Sequence, residues 1–315
     1  MKIAIHYFSG CGNTAWVATR AQKQLESIGH QVVLLQNIEM ALPTQMPNAD
    51  VDIFISPTYF FNIPSNMIAY LKRLPIVAGR KAIFWSVNGG VAGISYRCAK
   101  NFLKDKGYEV IAGGNVEMPD TFLFLKESQL TLEQRREVLE KALSQINDNL
   151  KVLESLPPVQ KENIFKIAIG YVISFLYLVL GRHILGLSFV STSKCVQCKK
   201  CVMDCPAHAI TFKDERPHWH TGCVGCFRCI NNCPVSAIDI SKKAFMIGLW
   251  FGIVWAIGFG LLSPVCKVFA ALLGFFVGWF DGAYAFQKLY KRFGDKNLCL
   301  AEKKRVLLTD EEKDL

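Results

Sequence analysis

Eight cysteines in the second half of the chain have a spacing that suits metal ligation. They form two copies of one pattern, in which two, two and three residues separate the cysteines and a proline follows the last one. Two residues between thiols let one turn aim three thiolates at three corners of a cubane, and this spacing is typical of paired [4Fe–4S] clusters. The cysteines are Cys195, Cys198, Cys201, Cys205, Cys223, Cys226, Cys229 and Cys233.

In this pattern the fourth cysteine of each copy ligates the cluster of the other copy. We therefore predict one cluster held by Cys195, Cys198, Cys201 and Cys233. The second predicted cluster is held by Cys223, Cys226, Cys229 and Cys205. Structural zinc or disulfides are the alternatives, but zinc prefers ligands in two spaced pairs, and this chain has two evenly spaced quartets.

The residues that follow each Cys-Pro also repeat. Ala207–Ile210 and Val235–Ile238 occupy equivalent positions in the two copies, which marks an internal repeat. The segment from 191 to 243 resembles the bacterial two-cluster ferredoxins. The resemblance implies a small α+β domain that relays single electrons and carries out no bond chemistry itself.

The first half of the chain alternates short apolar runs with helical patterns. This alternation predicts βαβ units and therefore a doubly wound parallel sheet of the α/β class. In such sheets ligands bind beyond the carboxyl ends of the strands. The predicted strands are Lys2–Phe8, Gln31–Gln36, Val51–Ser56, Lys81–Val87 and Glu109–Val116. The predicted helices are Ala15–Ile28, Ser65–Leu74, Ala92–Lys106 and a helix that opens with a capping box at Thr131 and ends near Leu153.

Three loops at those strand ends have unusual residues. Ser9–Thr14 is rich in glycine and opens a helix, so its backbone N–H groups suit a phosphate. Pro57–Phe60 begins an aromatic stretch between prolines, which suits a rigid platform. Asn88–Gly90 has two glycines, which permit close approach of the backbone to a planar ring. Taken singly, the first loop could be an ordinary tight turn, and the second could be a hydrophobic loop that packs on a neighbour.

Together, in this order, the three loops resemble the flavodoxin-like fold, whose loops hold FMN. Ser9, Gly12 and Thr14 match the phosphate loop of that family, and Cys11 stands at the position of its middle threonine. The resemblance implies an FMN-binding domain over residues 1–156, with the second and third loops flanking the isoalloxazine ring. It implies that FMN binds Ser9, Gly10, Cys11, Gly12, Asn13, Thr14, Pro57, Thr58, Tyr59, Phe60, Asn88, Gly89 and Gly90.

Three other residues in this half could do chemistry. A thiol at a helix N-terminus can be reactive, so Cys11 is either a nucleophile or a small filler of the phosphate loop. Cys98 lies in a helical pattern and is expected to be inert packing. His6 lies within the first predicted strand and is expected to be a core residue.

The second half also contains long apolar runs, in a chain whose hydrophobic fraction is 51% and whose mean hydropathy is +0.23. Two runs, Ala244–Leu262 and Val268–Phe280, are separated by Ser263-Pro264 and predict a transmembrane helical hairpin over residues 244–286. Basic residues flank its outer ends, so both ends are expected to be cytoplasmic. Residues 157–190 are expected to be a hydrophobic linker that lies at the membrane interface or packs on the hairpin, because a span there would separate the flavin from the clusters. The alternative is a buried helical core in a soluble protein.

The formal net charge of +10 indicates which class of partner the protein binds. Two oxidised clusters would offset about four of these charges, and attachment to anionic lipid explains the remainder better than nucleic acid does. The start of the chain has a strand pattern and no signal-peptide pattern, so a reducing compartment is expected. We expect the redox domains to face the cytoplasm at the cytoplasmic membrane, with residues 287–315 forming a charged cytoplasmic tail.

A flavodoxin-like domain followed by a two-cluster ferredoxin resembles the fused flavodoxin–ferredoxin proteins. This resemblance implies a membrane-attached electron carrier between two [4Fe–4S] clusters and FMN, with a redox protein or a quinone as its partner. One alternative is an FMN-dependent reductase of a small substrate or quinone, for which Tyr59 and Asn88 are the candidate acid–base residues. The sequence contains no G-x-G-x-x-G motif, so direct use of a nicotinamide cofactor is disfavoured. A redox sensor that signals through the hairpin is the third possibility.

Overall fold

The structure is a computed structural model that divides into two compact units. It describes residues 1–39, 46–121, 130–154, 164–177 and 182–241, and individual residues or short groups between 246 and 282. The first unit contains Met1–Ile173, and the second begins at Ser174. The division lies within the segment 157–190 that the sequence predicts to be a linker.

The first unit is built on a parallel sheet of five strands in the order β2-β1-β3-β4-β5. This is the strand order of flavodoxin-like doubly wound folds, in which the order reverses between β1 and β3. Every predicted strand is confirmed to within one residue at each end. The strands are β1 Lys2–Tyr7, β2 Gln31–Asn37, β3 Val51–Pro57, β4 Lys81–Asn88 and β5 Glu109–Glu117.

Helices cover both faces of this sheet. Trp16 and Val17 of α1 and Leu139 and Ile146 of α4 pack on one face, where they form the main hydrophobic core with strand residues such as Trp85. The predicted capping box starts α4, since Thr131 Oγ1 accepts from the Gln134 N–H at 3.2 Å and Gln134 Oε1 accepts from the Thr131 N–H at 2.9 Å. The helices of this unit are α1 Asn13–Ser27, α2 Ser65–Arg73, α3 Ser95–Asp105 and α4 Leu132–Leu150, and α5 Ile164–Leu176 runs on into the second unit.

Helix α3 begins three residues later than the predicted Ala92. Gly93 has a left-handed backbone with φ +58°, and the Ser95 N–H bonds to the Ala92 carbonyl in a turn. The chain therefore makes a tight turn before the helix starts. The sequence pattern did not resolve this turn, because alanine and isoleucine on either side of Gly93 suit a helix equally well.

Among its described residues, the second unit has two small antiparallel sheets and two single-turn helices. Strand β6 Phe189–Ser191 pairs with β9 Ile238–Ile240, and β7 Ile210–Lys213 pairs with β8 Arg216–Trp219. A short helix, α6 Arg182–Ser188, precedes β6. The helices α7 Lys200–Met203 and α8 Arg228–Asn231 occupy equivalent positions in the two cysteine copies. Phe189 and Val190, which the sequence analysis assigned to the linker, are buried strand residues of this unit.

The predicted transmembrane hairpin, residues 244–286, falls largely outside the described residues. Those that are described there are helical, and Gly248 and Gly282 lie so close together that a Cβ on Gly282 would lie 3.0 Å from the Gly248 Cα. A Cβ on Gly248 would clash with the Trp279 ring. Within the described parts of the chain, no helix combines the length and the apolar character that a membrane crossing requires.

Candidate functional site

The two cysteine copies share one backbone conformation. Three positions in each copy have a left-handed backbone, and each is matched 28 residues later in the second copy. A left-handed residue between successive cysteines turns the chain sharply, so that neighbouring thiols point to the same side. The matched pairs are Gln197 and Gly225, Lys199 and Phe227, and His208 and Ser236.

The first set of thiols combines three cysteines of the first copy with one of the second. Burial and, to a smaller extent, the negative charges of Cys195, Cys198 and Cys233 raise the pKa of the Cys201 thiol to about 11. These charges act on Cys201 because the four thiols lie close together. The four are the predicted ligands of the first cluster.

The second set is more deeply enclosed. The predicted ligands Cys205, Cys223, Cys226 and Cys229 all line one cavity, together with Trp219 and Phe227. Burial raises the pKa of the Cys223 thiol to about 12, with further contributions from Cys226 and Cys205. Burial likewise raises the pKa of Cys229 well above its usual value.

Both sets fit an iron–sulfur group by their chemistry. Crowded, half-buried thiols disfavour the thiolate form unless cations lie between them, and ferrous and ferric ions supply that charge. Backbone N–H groups already point at the sulfurs, from Ala209 to Cys205 at 3.3 Å and from Ala237 to Cys233 at 3.2 Å. Such hydrogen bonds tune cluster potentials. The buried Trp219 Nε1 has no hydrogen-bond partner of good geometry but favours the thiolate of Cys229, so it faces the site.

The alternatives to clusters are a single zinc ion and disulfides. Within the described ranges no group of three or more His, Cys, Asp or Glu side chains is arranged to hold one metal ion. The thiolates of a cubane each bind a different iron, so they stand farther apart than the ligands of one zinc. None of the ten cysteines in the described part of the chain forms a disulfide.

In the first unit, the phosphate-loop candidate lies where β1 leads into α1. Gly12 has φ +106°, and its N–H donates to Ser9 Oγ at 3.1 Å. Helix α1 has no side-chain cap and no acidic residue in its first turn, so the partial positive charge of its N-terminus is left for an anion. Thr14 is buried at this terminus, and Cys11 is partly exposed. This donor set fits a phosphate.

The second loop is a hairpin turn closed by two backbone hydrogen bonds between Tyr59 and Asn62. The two residues at its tip, Phe60 and Phe61, both have left-handed backbones, with φ of 47° and 67°. Bulky residues adopt this conformation at a cost of about 1–2 kcal/mol each, so the turn is held by its surroundings. Thr58 Oγ1 lies 3.0 Å from Ser95 Oγ, which ties the loop to α3.

The third loop meets the second. The Ile94 N–H donates to the Phe61 carbonyl at 2.7 Å, and a Cβ on Gly93 would clash with that carbonyl. Asn88 Oδ1 accepts from the Gly90 N–H at 2.9 Å, and Gly90 has φ +123°. Phe61, next to the second loop, is thus bonded to the segment that follows the third loop, and we call these neighbouring segments the rim of the site.

Sequence reasoning missed a fourth segment of this rim. Pro119 and Asp120 follow β5 at the same edge of the sheet, and the Pro119 carbonyl accepts from the Asn13 side chain at 2.7 Å. A Cβ on Gly89 would lie 3.1 Å from the Asp120 Cβ. The signal was available, because the carboxyl end of every parallel strand meets this edge. Asn13, which the resemblance assigned to FMN, thus also fixes the phosphate loop to this segment.

The remaining candidates lie in packed surroundings. The Tyr59 ring packs on Phe8 with centroids 6.4 Å apart, and Asn88 uses its side-chain oxygen for Gly90. His6 is fully buried, and its Nδ1 lies 2.7 Å from Tyr70 Oη, as expected of a core histidine. Burial raises the pKa of Cys98, so its thiol is less nucleophilic than a free one.

Known proteins are similar to separate parts of the chain. Residues 194–237 match the family model described as a 4Fe-4S dicluster domain. No curated protein sequence matches the chain. Among solved structures, oxidised flavodoxin 2 from Bacillus cereus is 22% identical, with 48% of this chain and 99% of that one covered and a TM-score of 0.36. The rubredoxin:oxygen oxidoreductase from Desulfovibrio gigas is 17% identical, with 47% of this chain and 37% of that one covered and a TM-score of 0.30.

The class of protein follows from the fold and the family match together. The first unit has the flavodoxin-like strand order, and this order, rather than the distant structural matches, identifies its fold. The second unit contains a 4Fe-4S dicluster domain. The chain therefore joins a flavodoxin-like sheet to an iron–sulfur domain of the kind that transfers electrons.

Proposed function

We propose that this protein is an electron carrier that holds two [4Fe–4S] clusters and FMN on one chain. The observation that carries the proposal is the crossed arrangement of eight cysteines, in which each copy contributes its fourth thiol to the set of the other. Such paired sites pass single electrons, whereas a flavin accepts one or two. A chain with both converts between one-electron and two-electron partners.

In the flavodoxin-like unit, one loop would bind the phosphate of FMN and two other loops would bind its ring. The uncapped N-terminus of α1 and the loop Ser9–Thr14 would bind the phosphate. The rim, with Pro57–Phe60 and Asn88–Gly90, would enclose the ring, with glycines allowing close approach. When bound, the flavin supplies the two-electron step, and the chain positions it and limits its contact with water.

Membrane attachment belongs to the same proposal. A stripe of apolar side chains in the second unit is exposed, at the spacing of one helix face: Met246, Trp250, Ile253, Val254 and Ile257. Lys242 and Lys243 precede this stripe in the sequence, which suits the cytoplasmic surface of a membrane. The partner would then be a redox protein or a quinone at the bilayer, with both redox units on the cytoplasmic side.

The flavin half of the proposal is tested by two substitutions at one position. Cys11→Asp places a carboxylate at the phosphate site, where it repels FMN although it suits a helix N-terminus. We expect its FMN dissociation constant to rise at least about tenfold, the scale of one lost charge interaction. Cys11→Thr adds a hydroxyl and serves as the matched control, with affinity equal to or above that of the native chain. Quenching of flavin fluorescence measures both.

The relay itself is tested on the full chain, purified in detergent without oxygen. The oxidised protein is mixed with less than one equivalent of dithionite, and its visible spectrum is followed. We expect the cluster absorbance to bleach first and to recover as the flavin absorbance bleaches. In Cys11→Asp without bound FMN, the clusters should stay reduced. Clusters that stay reduced beside bound FMN in the native chain would contradict the relay.

A further inference from the structure

The first cysteine copy presents a surface that the second copy lacks. Cys198 is exposed, whereas its counterpart Cys226 is buried. Val196 and Met203 expose 58% and 70% of their area on this copy. A redox centre exchanges electrons with another protein through the part of its surroundings that the partner can approach. The first cluster is therefore the accessible one.

The charged side chains close to Cys198 in the sequence are mostly positive. Lys194, Lys199 and Lys200 are exposed, and Asp204 is the one carboxylate between residues 194 and 204. Lys200 Nζ pairs with Asp204 at 2.8 Å, and the Lys199 ammonium lies 5.3 Å from the centre of the Phe212 ring. Stacking on an aromatic ring holds a lysine in place while leaving its charge exposed. We call the surface of Lys194, Val196, Cys198, Lys199, Lys200 and Met203 the Cys198 face.

We propose that the Cys198 face is the docking site for a redox protein with an acidic surface, which rests on the proposed electron-transfer function. Apolar side chains at the centre with charge around them are the usual anatomy of a protein interface. Opposite charge on the partner speeds encounter and fixes orientation. The same lysines would repel a basic partner.

An anionic lipid surface has the same charge as this partner, but the Cys198 face suits a protein better. The face has two exposed apolar side chains, and a thiol predicted to ligate a cluster is itself exposed among them. Lipid binding uses a long apolar stripe, and the second unit has a separate one from Met246 to Ile257. A protein acceptor, in contrast, needs close contact with the cluster ligand.

The test uses one probe protein in two charge forms: cytochrome c, whose surface is basic, and the same protein with its lysines succinylated. Both are titrated by calorimetry into the oxidised full chain at low ionic strength, where no electron passes and docking alone is measured. We expect the succinylated form to bind and the unmodified form to bind at least about tenfold more weakly, since steering charges act on this scale. Raised salt should abolish the difference.

A matched pair of double variants locates the site. Lys194→Glu with Lys199→Glu reverses two charges on the Cys198 face and should weaken binding of the succinylated form at least about tenfold. Lys23→Glu with Lys104→Glu makes the same charge change on exposed positions of α1 and α3, and should alter binding less than about twofold. Iron content, measured on each variant, shows that the clusters remain.

Three results would overturn the proposal. Equal losses in the two double variants would mean that net charge, and not the Cys198 face, determines binding. If the Lys194→Glu, Lys199→Glu variant lost binding to phosphatidylserine vesicles but still bound the succinylated cytochrome as the native chain does, the face would be assigned to lipid. Equal binding of the two cytochromes by a chain with full iron content would refute the docking proposal but not the electron-transfer function. A chain purified without iron would refute the electron-transfer function as well.

Discussion

The two cysteine copies have the same backbone and opposite surroundings. Val196 is 58% exposed and its counterpart Val224 is 5% exposed, and Met203 is 70% exposed where Asn231 is fully buried. The left-handed backbone is nevertheless the same at each matched position, with φ of 56° at Lys199 and 58° at Phe227. The turns between the cysteines are thus set by the backbone, while side chains decide which copy meets solvent.

Lys199 and Phe227 show how one position takes two roles. Lys199 is exposed and stacks on Phe212, while Phe227 is buried with its ring 5.6 Å from that of Phe189. The second copy is therefore part of the core of its unit, and the first is part of the surface. A duplicated motif can in this way supply an inner relay and an outer contact from one pattern.

The largest effect should follow removal of iron. The irons of the proposed clusters would link segments from 195 to 233, and three of their predicted ligands, Cys223, Cys226 and Cys233, are buried in the unit. A small metal domain of this kind loses its fold without metal. After chelation under oxidising conditions, we expect hydrogen exchange to become fast throughout 189–240, with β1–β5 still protected. Protection that persists around Cys226 would show that the second copy does not depend on iron.

The next effect compares equivalent ligands. Cys226→Ser removes a buried ligand, so we expect loss of both clusters, because the core around the second copy is disrupted. Cys198→Ser removes an exposed ligand and should leave about four irons per chain, since the second cluster is still enclosed. Iron and sulfide assays measure both variants. Equal iron contents would remove the distinction between inner and outer copies.

A smaller effect should come from exchanging the side chains that differ. Phe227→Lys buries an ammonium next to Phe189 and should destabilise the second unit by more than about 3 kcal/mol. The reverse change, Lys199→Phe, lies on the surface and should alter stability by less than about 0.5 kcal/mol. Denaturant unfolding monitored by cluster absorbance gives both values. Similar costs would mean that the two positions are equally packed.

The smallest effect concerns the left-handed positions themselves. Gly225→Ala adds a Cβ at φ +66° that would lie 2.7 Å from Tyr177 Oη, and it should cost about 1–3 kcal/mol. Gln197→Gly at the matched position relieves left-handed strain but adds chain freedom, so its effect should stay within about 1 kcal/mol. The same unfolding measurement applies. If Gln197→Gly lowered the stability more than Gly225→Ala does, the left-handed backbone at Gln197 would not be strained as described.

Much of the fold could be predicted from the sequence, because its signals are local. Buried parallel strands such as Val51–Pro57 are largely apolar runs, and the Thr131 capping box has its own residue pattern. The different exposure of Val196 and Val224 could not be predicted from these residues themselves, because they are identical and hold equivalent positions; the sequence signal is instead the exchange of Lys199 for Phe227. The contact of Asn13 with Pro119 joins residues far apart in the chain, so only the sheet order reveals it.

The most direct test of the account is a cofactor count on the full chain, extracted in detergent and purified without oxygen. Iron, acid-labile sulfide, zinc and flavin are measured against protein, together with the visible spectrum. The account predicts about eight irons, about eight sulfides and one FMN per chain. Zinc in place of iron would contradict it at its centre, and eight irons without flavin would refute the relay while leaving the two cysteine copies as cluster sites.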